Sequence, residues 1–318
     1  VRRQSGKFQV NNALRRKPGR AKCGAMAALF ALDRALIEVR GPDTRDFLQG
    51  MLTQDLDRLG ENAALLYAGL LSPQGKLIAD MFLHHGADGA VRLEADTARG
   101  VALARRLSMY KLRVRVDVED LSSQFAIVFA QAPFAGAHAD PRLPDGALGW
   151  RKIVSRAEAA PLTDGARVFE QNRIALGIPD LARDCGEEEV FALEALLEEL
   201  HGVDFQKGCY VGQENVSRMK RRATTRKKFC PLAFDGAPPA FATPVRAGDV
   251  DIGTTRGGRA GRALALLRLD RAVTARDAGT PLTVDGREVR LDPPPWLILP
   301  PREGPDPSGP IDAPSREV

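Results

Sequence analysis

Two apolar runs, Leu65 to Leu71 and Lys76 to Leu83, are separated only by Ser72-Pro73-Gln74-Gly75. Such a Ser-Pro-x-Gly break has turn chemistry, so the two runs are predicted to fold back on each other as an antiparallel hairpin. The flanking segments fit around that hairpin. Alternation in Ala35 to Arg40 (ALIEVR) predicts a strand ended by Gly41-Pro42. Asp43 is then placed to cap a helix running to about Gln54, with Phe47, Leu48, Met51 and Leu52 on one face. A short strand near Val91 to Glu94, a helix from Thr97 to Met109 capped by Asp96, and the alternating run Arg113 to Val118 follow. The order strand, helix, strands, helix, strand matches a split βαβ, ferredoxin-like layer, which makes this an α+β unit.

Further along, Glu187 to Leu200 (EEEVFALEALLEEL) reads as a helix. Acids occupy its first turn, Val190, Leu193, Leu197 and Leu200 form a stripe, and Gly202 ends it. Residues 131 to 165 give no pattern beyond a strand at Trp150 to Ser155. From Phe229 to about Leu291 the helical period disappears, and short apolar stretches are broken by Gly, Pro, Asp235-Gly236 and Asp285-Gly286. This predicts a small all-β unit of barrel type.

Composition narrows the class. No apolar run approaches the about 18 residues a membrane span needs, so no membrane partner is expected. The 4 cysteines of the 318 residues, at 23, 185, 209 and 230, form no CxxC pair, which argues for a reducing compartment without structural disulfides or a zinc ribbon. The formal charge of +5 is concentrated in residues 1 to 25, which carry eight basic side chains and no acid. The remainder is slightly acidic, which argues against a globally cationic nucleic-acid binder. The basic leader has no hydrophobic centre and reads as an upstream extension before a start at Met26, or as an organellar transit peptide. From Asp292 onward the chain is proline-rich and expected to be a disordered tail.

The stretch Phe205 to Glu214, FQKGCYVGQE, carries the chemistry. Its glycines allow a tight path, so Cys209 can sit on a turn. A thiol acts as nucleophile or metal ligand when ionised, and Lys207 is the local cation that would favour the thiolate. Gln213 and Glu214 fall where a helix would begin. Downstream, Arg218, Lys220, Arg221, Arg222, Arg226, Lys227 and Lys228 form an acid-free stretch that would attract an anionic partner. The plain alternatives are a cysteine that is only a small hydrophobe, as read for Cys23, Cys185 and Cys230, and a basic run that is only a solvated face. His84 and His85 are adjacent and point to opposite faces of a strand, so they make no zinc site. His201 reads as a helix-end residue. Phe229 is the single aromatic beside the basic run, which argues against RNA or DNA and leaves a tRNA-modification role as the weakest alternative.

Lys207 to Glu214, KGCYVGQE, resembles the signature of the YgfZ-type folate-binding proteins, relatives of the glycine-cleavage T-protein (aminomethyltransferase) that assist iron–sulfur protein maturation. RGPDTRDFLQGMLTQDL (40 to 56), LLSPQGKLIADMFL (70 to 83), YKLRVRVDVED (110 to 120), RIALGIPD (173 to 180) and GRALALLRLD (261 to 270) resemble further blocks of that family in the same order. The likeness runs from about Leu29 to Leu291. It implies two ferredoxin-like α+β layers around a central channel that takes a tetrahydrofolate, followed by a β-barrel. The division it implies is a leader at 1–25, an α+β region at 26–228 made of intertwined parts (about 26–120 and 121–228), a barrel at 229–292 and a tail at 293–318.

The resemblance also implies Cys209 and Lys207 as the catalytic pair and Cys209 as a transient iron–sulfur ligand. Asp80, Tyr210, Gln213, Glu214 and Arg218 become the folate-facing set. T-proteins have paired acids where this chain has Ala79-Asp80, a pterin-gripping glutamate where it has Ala175, and a glycine where Ala223 follows Arg222. Losing those acids weakens aminomethyl transfer. The expected function is therefore an accessory factor for iron–sulfur cluster assembly or repair, with folate and iron–sulfur client or assembly proteins as partners. A folate-dependent one-carbon transferase or demethylase with Cys209 as nucleophile is the competitor, and carboxylates converging in the channel would favour it. The expected compartment is the cytoplasm, or the mitochondrial matrix if residues 1–25 are a transit peptide.

Overall fold

The computed structural model describes residues 27–60, 63–223 and 225–299, so the basic leader, Met26 and the tail beyond position 299 lie outside the described residues. The chain enters as β1 (Phe30–Leu32) and, after Asp33 alone, β2 (Arg34–Arg40), yet these consecutive strands belong to different sheets. After β2 come α1 (Thr44–Met51), β3 (Leu65–Leu71), β4 (Leu77–His85), β5 (Val91–Asp96), α2 (Thr97–Tyr110) and β6 (Asp117–Asp120). The expected hairpin is β3–β4, closed by Ser72 N donating to Lys76 O at 2.8 Å and Gly75 N to Ser72 O at 2.8 Å. The first sheet has the order β3-β4-β5-β2-β6, with every neighbouring pair antiparallel.

The second layer is built from β7 (Phe125–Ala130), β8 (His138–Ala139), β9 (Trp150–Ser155), α3 (Arg156–Ala159), β10 (Thr163–Asp164), α4 (Ala166–Leu176) and α5 (Leu181–Asp184). Its order is β10-β1-β7-β9-β8, so β1 sits between strands that follow it by about a hundred residues. After α6 (Gln213–Arg222), a closed barrel forms from β11 (Lys227–Ala233), β12 (Pro244–Ala247), β13 (Val250–Arg259), β14 (Arg262–Arg268), β15 (Leu282–Val284) and β16 (Arg287–Leu291). Asp285 and Gly286 have φ of 48° and 73°, the paired left-handed conformation of a tight two-residue hairpin. The fold is α+β with a closed six-stranded C-terminal barrel, as the sequence implies.

Alternation along β3 divides the interior. Leu66, Ala68 and Leu70 join α1 and α2 in one core, whereas Leu65, Tyr67 and Leu71 join the segment 190–200 and the barrel in another. Gly69 lies on the second face because Leu197 closes over it. A Cβ added there would come within 2.8 Å of Leu197 Cδ1.

Four expectations fail here. The segment 187–200 is a chain of turns and not a helix, with Glu188, Leu196 and His201 at φ of 57°, 63° and 55°. Leu77 N donates to Val190 O and Glu188 N to Leu77 O, both at 2.8 Å, so its start is drawn into strand-like pairing with the hairpin. Val190, Ala192, Leu193, Ala195, Leu196, Leu197 and Leu200 are all buried, which a one-stripe helix cannot achieve. Burying each large side chain is worth about 1.5–3 kcal/mol, more than the about 1 kcal/mol lost per rearranged hydrogen bond, so all-round burial wins. Second, α7 (Leu269–Asp277) interrupts the expected all-β region and packs Ala272, Val273 and Ala275 inward against the barrel. Third, Asp43 does not cap α1 with its side chain; the carboxylate instead accepts from Arg115 Nη2 at 2.8 Å, and Arg113 belongs to a turn before β6. Fourth, the start of the expected tail is ordered: Leu297 is buried and Lys228 Nζ donates to Ile298 O at 3.1 Å.

Helix α6 ends with Ala223 at φ 48° and ψ 36°, a left-handed position that favours glycine. A non-glycine residue there costs about 1–2 kcal/mol, partly offset by the greater unfolded-state freedom of glycine. Ala223→Gly should therefore stabilise the protein by about 0.5–1 kcal/mol in urea unfolding. A lowered midpoint would show that this helix end is unstrained.

Candidate functional site

The KGCYVGQE segment is an extended loop leading into α6, and it is seated on the end of α1. Asp204 N donates to Thr53 O at 3.0 Å and Val211 N to Gly50 O at 3.1 Å, holding the loop at both ends. Asp204 Oδ1 accepts from Gln206 N at 2.7 Å and Lys207 N at 3.2 Å, which turns the chain so that Lys207 points inward. Lys207 Nζ donates to the carbonyls of Gln49, Leu52 and Gln54 at 2.7, 2.7 and 3.0 Å. Burial pulls its pKa down to about 8 against the opposing charges of Asp55 and Asp204. The expectation that this cation serves the thiol is corrected: all three ammonium protons go to carbonyls, so Lys207 anchors the loop.

Gly212, at φ 83°, admits the close approach of the β3–β4 turn. A Cβ there would meet Ser72 O at 2.6 Å. Asn215 Nδ2 donates to Gln74 O at 2.9 Å, Asn215 Oδ1 accepts from Arg218 Nη2 at 2.6 Å, and Gln213 Nε2 donates to Gly208 O at 3.3 Å. Tyr210 is buried beneath the Lys207 ammonium, 5.1 Å from ring centroid to Nζ, and burial raises its hydroxyl pKa. Glu214 is exposed on the first turn of α6. Cys209 is exposed at the crest of this support, whereas Cys185 and Cys230 are buried and burial pushes both thiols up to about 12.

Asp80 is not part of this loop. It lies on β4 between the sheets, where it accepts from the Tyr67 hydroxyl at 2.8 Å, and burial together with the neighbouring Asp180 raises its pKa. Ala175 is elsewhere again, lining a surface cleft with Phe30, Val168 and Arg259. The residues expected to form one site therefore occupy separate places.

Between the sheets the structure holds an ion-pair network that the sequence reading missed. Glu94 pairs with Arg151, with Arg34 Nε at 3.3 Å and with His84 Nε2 at 2.9 Å. Asp140 binds Arg151 Nη2 and Arg142 Nη2, each at 2.8 Å. The Arg151 guanidinium lies 3.8 Å from the Phe82 ring centroid, and Arg142 stacks 5.2 Å from that of Tyr67. Burial would raise the Glu94 carboxyl, but Arg151, His84 and Arg34 overcome it and bring its pKa down to about 2. The available signal was a charge inside an otherwise apolar strand, as at Glu94 and Arg151.

Carboxylates thus converge, yet Glu94 and Asp140 are held by arginines. The cavity beside Arg34, Arg151, Phe169 and Asp180 measures about 30 Å³. That suits a water serving Arg151 Nε, which makes no hydrogen bond among the described residues. Small-molecule sites occupy roughly 300–1,000 Å³, so this one cavity is too small for the expected tetrahydrofolate.

Two measurements test these assignments. Lys207→Met leaves three partly buried carbonyls without a donor, so it should lower stability by about 2 kcal/mol or more and expose residues 203–212 to protease. Glu94 has a folded pKa below its ordinary 4.5, so its stabilisation is present above about pH 5 and is lost as pH falls toward 2. Wild type should lose on the order of 3 kcal/mol across that window relative to Glu94→Gln. Parallel curves for the two proteins would mean that Glu94 is unpaired.

Comparison with known proteins accords with this geometry. Residues 226–298 match the family described as CAF17, C-terminal beta-barrel domain. The chain is 32% identical over 286 residues to the mitochondrial iron-sulfur cluster assembly factor IBA57 of Homo sapiens, covering 78% of this chain and 80% of that protein. It is 31% identical to the protein of the same name from Mus musculus, covering 77% and 78%. A homologue from Mycosarcoma maydis is 35% identical over 245 residues, covering 69% of this chain and 59% of its own length. Among solved structures, the glycine cleavage system aminomethyltransferase T from Bartonella henselae superposes with a TM-score of 0.68 at 17% identity, covering 86% and 87%, a likeness of fold alone. These matches narrow the likeness seen in the sequence from the YgfZ-type proteins to the IBA57 proteins. The exposed cysteine loop, the aminomethyltransferase-like layers and the C-terminal barrel occur together in a chain that belongs to the IBA57 family of iron–sulfur cluster assembly factors.

Proposed function

We propose that this chain assists iron–sulfur cluster assembly by presenting the Cys209 thiolate as one ligand to a cluster whose other ligands come from a client or assembly protein. The observation that carries this reading is the contrast among cysteines: Cys209 is exposed on an anchored loop, and Cys185 and Cys230 are sealed in the core. A cluster needs about four protein ligands. Among the described residues no group of three or more His, Cys, Asp or Glu side chains could hold a metal, so a shared site is the physical consequence. In the last turn of α6, Arg221 and Arg222 are exposed and favour an acidic partner face, while Lys220 already pairs with Glu198.

The relatives' names place them in mitochondria, which supports the matrix over the cytoplasm as the working compartment. Among the described residues no helix is long and apolar enough to cross a membrane. Folate does not enter this mechanism. The one-carbon transferase reading retains one point in its favour, the Asp80 carboxyl on Tyr67, but the neighbouring carboxylates Glu94 and Asp140 are engaged by Arg34, Arg142 and Arg151.

At neutral pH a thiol probe should label Cys209 at least about tenfold sooner than Cys185 or Cys230. In cells, Cys209→Ala should lower the activities of radical and dehydratase iron–sulfur enzymes while the protein's own abundance is unchanged. Normal activities at normal abundance would overturn the proposal.

A further inference from the structure

A second group of titratable side chains lies away from the cysteine loop. A cleft of about 630 Å³ opens between the two sheets, lined by His84 and His85 at the end of β4, Arg92 on β5, His138 on β8 and Lys152 on β9. The other lining residues, among them Gly60 and Gly136, carry no charge, so the wall contains no acid. Three of the chain's 4 histidines meet here.

We propose that this cleft binds a small multivalent oxyanion, of phosphate or polycarboxylate type, between His85, His138 and Lys152. Its volume lies in the range of small-molecule sites. The wall is built and not merely charged: His84 is buried with Nε2 2.9 Å from Glu94, and Arg92 is fixed by Nε on Glu38 at 2.9 Å and by its guanidinium 5.0 Å from the Phe125 ring centroid. Behind them, Arg151 is held by Glu94 and Asp140. The acids of the adjoining strands are thus already paired, and the cations facing the cleft are left to an external anion.

Lys152 Nζ makes one long contact, 3.3 Å to Ala135 O, which leaves ammonium protons free to donate. The rings of His85 and His138 have no hydrogen-bond or ion-pair partner among the described residues. Burial, with the nearby His84, lowers the His138 pKa, as expected where cationic groups gather without a counter-charge. An anion reverses that effect, so affinity should rise as pH falls through the histidine range.

The test uses the full chain with isotope-labelled histidine, titrated with inorganic phosphate and separately with citrate at about pH 6, with chloride holding ionic strength constant. The ring signals of His85 and His138 should shift to saturation while those of His201, outside the cleft, stay fixed. Whichever probe saturates at the lower concentration assigns the anion type. Affinity should fall about tenfold or more in Lys152→Glu and again at about pH 8 in wild type. An unmoved His84 signal in Lys152→Glu verifies that the cleft is still folded, and Lys152→Met serves if it moves. Shifts that His201 shares, that chloride reproduces, or that persist undiminished in the folded Lys152 variant would overturn the assignment.

Discussion

The Lys207 ammonium, set on the carbonyls of Gln49, Leu52 and Gln54, connects the chemistry-bearing loop to the rest of the molecule. The last carbonyls of a helix have no partner within it and carry the negative end of its dipole. α1 is only eight residues long and ends in an extended Leu52, so its terminus presents a concave set of acceptors. A side chain with three donors fills that set. Nearby, Gly202 O accepts from Thr53 Oγ1 at 2.5 Å and His201 O accepts from Gln54 Nε2 at 2.6 Å, so residues 53–54 and 201–207 behave as one polar joint. Cys209 can be exposed and still held in place because its supports, Lys207 and Tyr210, are buried on either side of it.

Much of the first layer was legible because its signals are local. The hairpin is written in four residues between two apolar runs, and Asp96 caps α2 by accepting from Ala98 N at 2.9 Å. The segment 187–200 misled because its apolar spacing satisfies a helix while its alanines, Ala192 and Ala195, are buried as well. Only the proximity of the hairpin and the barrel shows that burial surrounds it. Lys207 read as a partner for the neighbouring thiol because sequence shows what is adjacent, and its acceptors lie more than 150 residues away. Arg151 and Asp140 were illegible for the same reason, since a buried charge is intelligible only beside its counter-ion.

The interior network explains how one architecture serves different chemistry. In this chain the space between the layers is occupied by arginines and carboxylates that neutralise one another. Such a network is held by mutual dependence, because removal of one member strands a charge in low dielectric. Arg151 is central, touching Glu94, Asp140 and Phe82 and so joining the second sheet to the first. The cysteine loop lies outside this network, and the layers act as a rigid mount for it.

The passage from β1 to β2 through Asp33 has a consequence for biosynthesis. β2 can pair with β5 as soon as the first layer has left the ribosome, but β1 needs Ile127 to Phe129 on one side and Thr163 and Asp164 on the other. During translation β1 therefore waits without a partner for nearly a hundred residues of further synthesis. An unpaired edge is a template for promiscuous pairing, which makes this short segment the place where a nascent chain most needs shielding.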